Sequence, residues 1–109
     1  MSMILMRTDL DADARVVRMA EECNVGACSI IGGLWWVWAR AQTQSNAGHI
    51  PMMTATMVDR GTGIDGFACA AALVGWLAIE SDGLQIPDFE TYFGQSSRTR
   101  AQVRLRQAR

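Results

Sequence analysis

Few side chains in this sequence are of types that could do chemistry: one histidine, His49, three cysteines, Cys23, Cys28 and Cys69, an aspartate cluster at Asp9, Asp11 and Asp13, and a set of arginines crowded toward the C-terminus. His49 with the three thiols has the composition of a three-Cys, one-His zinc site, but such sites draw on two closely spaced ligand pairs, which this set lacks. Cys69 lies in an alanine-rich apolar stretch and Cys28 opens another, where a thiol serves as a small hydrophobe. The run Asp9-Leu10-Asp11-Ala12-Asp13 resembles the start of a calcium loop, yet Ala14 stands where that loop needs Gly and Ala20 where it needs Glu. These acids fit a helix N-terminus better, where a carboxylate caps free amides. Neither a Ser-His-Asp nor a Cys-His pairing can be drawn from one His beside a Pro-containing step, and no glycine-rich loop has the form that cradles phosphate. The expectation is therefore a protein that is not an enzyme and uses no metal or cofactor.

The arginines tell more. All ten basic residues are Arg, and five of them, Arg98, Arg100, Arg104, Arg106 and Arg109, fall in the last dozen residues with no acid among them. The body before them holds five Arg against eleven acids, near −6, while the tail is +5. A local basic segment attracts phosphate whatever the global balance. Gln95, Ser96, Ser97, Thr99 and Gln102, which can bond phosphate and sugar oxygens, are interspersed with it. Arg60, placed near a turn between two short helices, is the body's candidate phosphate contact.

The elements that must position these groups follow from punctuation and periodicity. At 109 residues, 50% hydrophobic and 19% charged, the chain is one domain, read as a body over 1–94 and a basic flexible or helical tail over 95–109. A first helix runs to about Glu22, burying Val16, Val17, Met19, Ala20 and Cys23, and ends at Asn24 and Gly26. A second spans 27–44, with Ile31, Leu34, Trp35 and Trp38 at the spacing of one face. Trp36 points about 100° away from Trp35, and Gly32-Gly33 in mid-helix costs about 1 kcal/mol per Gly. Trp36, Gly32 and Gly33 are thus the candidate protein interface, with close approach by another backbone as the compensation. His49-Ile50-Pro51 reads as a short strand, Thr54 to Arg60 as a capped helix, and 64–74 as a second helix with Phe67, Ala71 and Val74 or Leu73 inward. Trp76-Leu77-Ala78-Ile79, the turn Ser81-Asp82-Gly83 and Leu84-Gln85-Ile86 form a hairpin. The fold class is mainly α with a small β-hairpin wing, a winged helix-turn-helix domain with a core of Trp35, Trp38, Phe67, Leu73, Trp76, Leu77 and Ile86. Phe89 and Tyr92 are expected to pack back on it. No run approaches the roughly 20 apolar residues that span a bilayer, and Met1 to Arg7 lacks a signal-peptide core. Three thiols without a secretion signal suit a reducing, cytoplasmic compartment.

The stretch Ala72-Leu73-Val74-Gly75-Trp76-Leu77, then Asp82-Gly83-Leu84-Gln85-Ile86-Pro87-Asp88-Phe89 and a Ser/Arg-rich tail, resembles the N-terminal domains of phage replisome-organiser and replication-initiation proteins. Upstream, residues 13–20, the aromatic Gly33-Leu34-Trp35-Trp36-Val37-Trp38-Ala39 and Gly48-His49-Ile50-Pro51 resemble that family's first helix, second helix and entry to the helix-turn-helix. Tyr92 stands where the family pattern has His. The resemblance implies a winged-helix fold and a replication-associated role on DNA. Two readings follow. One is a DNA-binding protein of low sequence specificity that contacts phosphate through the tail and Arg60. The other is a winged-helix interaction module that self-associates as a dimer or larger oligomer, or docks a helicase loader or another replication protein. The expected recognition helix offers no Arg, Asn or Gln to base edges, which disfavours a third reading, a transcriptional regulator.

Overall fold

The computed structural model describes residues 3, 4 and 6–87. The tail arginines and the expected contacts of Phe89 and Tyr92 lie outside the described residues. Within them the chain is mainly helical with a small antiparallel sheet, in the order α1 (Ala14–Cys23), α2 (Ala27–Gln44), β1 (His49–Pro51), α3 (Ala55–Thr62), α4 (Phe67–Leu73), β2 (Ala78–Glu80), β3 (Gly83–Gln85). The strand order is β1-β3-β2, so the first strand joins the hairpin through its second strand. The arrangement is compatible with a winged helix-turn-helix, in which α3 and α4 are the helix pair and β2–β3 the wing.

Local chemistry sets each boundary. Asp13 caps α1 by accepting from the Arg15 amide, and Asn24 closes it in the left-handed region. Asp9 to Asp13 otherwise form a single 3-10 turn over Leu10–Ala12. Thr54 caps α3 by accepting from the Met57 amide. That helix runs past Arg60 through Gly61 and Thr62, where the Thr62 hydroxyl bonds back to the Val58 carbonyl at 2.9 Å. The fourth helix is shorter than the sequence suggests. Gly63 and Gly66 both hold positive φ, at 73° and 82°, so the chain turns twice before helical geometry can begin at Phe67.

A single core joins these elements. Ile30, Leu34, Val37, Trp38 and Ala41 of α2 are buried, with Val16 and Met19 of α1, Phe67, Ala68, Ala70 and Ala71 of α4, and Trp76, Leu77, Leu84 and Ile86 around the sheet. Trp38 and Trp76 meet edge-to-face, centroids 6.1 Å apart at 77°. Three inward assignments are corrected. Trp35 is 52% exposed, Leu73 57% and Val17 45%. On α2 the buried stripe passes through Ile30 and Val37 rather than Ile31 and Trp35, a rotation of one residue. The cause is Gly33, against which the Phe67 ring lies so closely that a Cβ would collide with it. The close approach expected at the glycine pair is thus made by a ring from α4, not by a backbone, and Gly32 has open space around it.

Candidate nucleic-acid interface

In a winged helix the surface that meets DNA is built from the second helix of the pair, the turn before it and the wing. Here that surface begins with Asp59 on α3. Its carboxylate accepts from the Gly66 amide and the Ala68 amide, each at 3.0 Å. Gly66, the residue at the cap position of α4, supplies no side chain, so a side chain seven to nine residues upstream performs the capping. Two of the amides through which such a helix end would bind a phosphate are therefore already bonded to the chain's own carboxylate.

The rest of the surface is equally unsuited to reading bases. The exposed positions of α4 are Cys69 and Leu73, and the turn before it exposes Asp65. None of these can make the paired hydrogen bonds that identify a base in the major groove. The wing tip carries Glu80, Ser81 and Asp82, all exposed, and like charge repels a phosphate backbone.

Most cations of the body are already engaged. Arg7 and Arg15 both bond Asp13, and Arg15 also stacks over the Trp76 ring at 4.3 Å. Hydrogen bonds from the Arg15 side chain, then from its amide and from Arg7, hold the Asp13 carboxyl well below the usual carboxylate range. Arg18 pairs with Glu22 one turn along α1, and Arg40 lies over Trp36 at 4.7 Å. Arg60 is exposed and, among the described residues, is the one arginine with neither an ion pair nor a ring contact. It is where the sequence places the body's phosphate contact. Arg98, Arg100, Arg104, Arg106 and Arg109 lie outside the described residues.

Trp36 is half-buried inside the chain. Its ring rests on Gly61 of α3 so closely that no Cβ fits there. The tryptophan that α2 leaves open is Trp35, beside an open groove also lined by Met3, Ile4, Ala39, Gln42 and Thr43.

The thiols do not gather around His49. Cys28 and Cys69 are exposed, and Cys23 is half-buried, with burial first and then the charges of Asp59 and Glu22 pushing its pKa up. Among the described residues the group that brings metal-ligand side chains together is instead His49, Glu80 and Asp82. Sequence spacing could not reveal it, because the three meet only through strand pairing.

No helix of the described residues is long and apolar enough to cross a membrane. No family model, no curated protein and no solved structure matches this chain.

Proposed function

We propose that this is a DNA-associated winged-helix protein of the replication-initiation kind, which holds DNA by its phosphates through the arginine-rich C-terminal segment. Arg60 adds the body's contribution. The replication role rests on the sequence resemblance. The mode of binding rests on one observation, the Asp59 carboxylate bonded to the Gly66 and Ala68 amides at the start of α4. With that helix end occupied, no base-reading donors on α4 and an acidic wing tip, affinity must come from charge elsewhere. The five tail arginines supply it, and binding of that kind depends on phosphate density rather than sequence.

The test is a titration of the full chain against unrelated duplexes at two salt concentrations, beside a variant with Arg98, Arg100, Arg104, Arg106 and Arg109 all changed to Gln. The parent should bind the duplexes with similar affinity and a steep salt dependence. The variant should lose most of both while keeping its thermal midpoint. Equal affinity and slope in the variant would return the binding surface to the helix-turn-helix.

A second reading has its own support. Met57 on α3 and Leu73 on α4 are 48% and 57% exposed, on the helix pair that in DNA readers is polar. A winged helix with apolar side chains there suits contact with another protein, and a helicase loader or a second copy of the chain is the partner this reading implies. Loss of self-association or of loader binding in Leu73→Glu, with DNA affinity unchanged, would favour it.

A further inference from the structure

The sheet brings ligand-type side chains from two segments to one place, His49 from β1 and Glu80 and Asp82 from the wing. His49 lies on β1 opposite Gln85, and Glu80 lies on β2 opposite Gly83. Gln85 and Gly83 are two apart on β3, so His49 and Glu80 share one face of the sheet, on either side of the central strand. The Ile50-Leu84-Ile79 row takes the opposite face, with Ile50 and Leu84 in the core. Gly83, opposite Glu80, has no room for a Cβ against the Ile50 carbonyl, so no side chain can stand there beside Glu80. Asp82 joins from the turn, whose backbone is tied to the end of β1 by the Met52 amide donating to the Asp82 carbonyl at 2.8 Å.

His49 Nε2 is 3.6 Å from an Asp82 carboxylate oxygen, and His49 Nδ1 is 4.0 Å from one of Glu80. One ligand atom from each residue lies within 4.8 Å of the other two. Among the described residues neither carboxylate has an ionic partner other than this imidazole. Two negative charges and one neutral nitrogen donor match the charge and ligand preference of a divalent ion that accepts imidazole, whereas magnesium and calcium prefer oxygen alone.

We propose that His49, Glu80 and Asp82 form a binding site for a divalent transition-metal ion, zinc in the first place, that clamps the wing to β1. With bonds of about 2.0–2.2 Å, tetrahedral zinc ligands stand roughly 3.3–3.5 Å apart. The ligand atoms here, one from each residue, lie within 4.8 Å of one another, so the side chains must draw together by up to roughly 1.3 Å to reach that spacing. One ring nitrogen binds, and the two exposed carboxylates close on it by rotation about their own side-chain bonds. Water completes the shell.

The experiment is calorimetric titration of the full chain with zinc, together with the absorption spectrum of the cobalt-loaded protein. One ion per chain is expected, with a cobalt spectrum free of the thiolate charge-transfer band that Cys28 or Cys69 would give. His49→Gln and the exposed pair Glu80→Gln/Asp82→Asn should each weaken binding by at least about tenfold. The thermal midpoint of the parent should rise with zinc, and that of the variants should not. Magnesium should not compete. Undiminished affinity in Glu80→Gln/Asp82→Asn, a thiolate band, or no uptake by the parent at neutral pH would each overturn the site.

Discussion

An exposed glycine inside a helix is ordinarily a site where alanine stabilises, by about 0.8–1 kcal/mol. Gly61 in α3 is such a position by location, yet the structure reverses the expectation. A Cβ there would enter the Trp36 ring, approaching Cζ2, Cε2 and Cη2. Either the ring leaves its seat, losing its packing on α3 and its contact with Arg40, or α2 and α3 move apart. Overpacking of this kind costs about 1–3 kcal/mol. Set against the propensity gain, Gly61→Ala should destabilise by roughly 0–2 kcal/mol. With Trp36→Ala already in place there is no ring to displace, and the same change should stabilise by about 1 kcal/mol. The coupling between the two sites is then about 1–3 kcal/mol, well outside the range of independent positions. Urea unfolding followed by far-ultraviolet circular dichroism gives all four corners of the cycle without relying on the fluorescence of the deleted tryptophan. Additive effects, with Gly61→Ala stabilising in both backgrounds, would show that Trp36 does not rest on α3 and is free to serve as an interface anchor.

Trp38→Ala should cost about 3–5 kcal/mol, because it empties the space against Trp76, whereas Leu73→Ala should stay within about 0.5 kcal/mol. Equal costs in chemical denaturation would contradict the rotated face. Asp13→Asn should lose about 1 kcal/mol near pH 7 through weakening of the α1 cap and its arginine contacts. Since the folded-state pKa of Asp13 is depressed, its stabilisation is present above the unfolded value near 3.9 and is lost as pH falls through the folded one. The difference between parent and variant should therefore shrink as the pH is lowered below about 4, and a difference that grew in acid would refute the assignment. In the DNA titration each phosphate neutralised adds about 0.9 to the negative log-log salt slope. Arg98, Arg100 and Arg104, the tail arginines nearest the body, should matter most individually, and Arg60→Gln should remove about one such increment.

Local signals carried the boundaries well. The second helix occupies 27–44 as expected because Gly26 and the run Ser45-Asn46-Ala47-Gly48 punctuate it on both sides. Thr54 announces α3 by a capping bond that spans only three residues. Strand β1, only three residues long, was legible because His49-Ile50-Pro51 stands between two loops. What local signals could not supply was rotation. Ile30, Ile31, Leu34, Trp35, Trp36, Val37 and Trp38 make α2 apolar on nearly every side, so periodicity leaves its inward face undecided. The decision comes from glycines: Gly33 admits Phe67, and Gly61 admits Trp36 from a helix two elements later. The candidate metal group was hidden for a related reason, since residues 49, 80 and 82 become neighbours only when β3 takes its place between β1 and β2.

Asp59 ties the start of α4 to α3 through two backbone amides. Two left-handed glycines allow the sharp turn between α3 and α4 but supply no cap, and a helix of seven residues has little margin for unbonded amides at its start. The Asp59 carboxylate accepts from the Gly66 and Ala68 amides and so ties the start of the short helix to α3. The same negative charge occupies the end of α4 that would otherwise attract phosphate, and it stands close enough to Cys23 to raise that thiol's pKa. A sequence that relied on α4 to grip DNA would leave those amides free and place donors at positions 65, 69 and 73; this one has Asp, Cys and Leu. The architecture therefore supplies a rigid body and a wing, and the function has to be argued from what that body carries on its surface. Among the described residues the surface gives one arginine without an ion pair or ring contact, Arg60, with His49 beside two carboxylates of the wing and apolar side chains on the helix pair. Each of these features is suited to contact by charge or by apolar surface, the modes on which the proposed function rests.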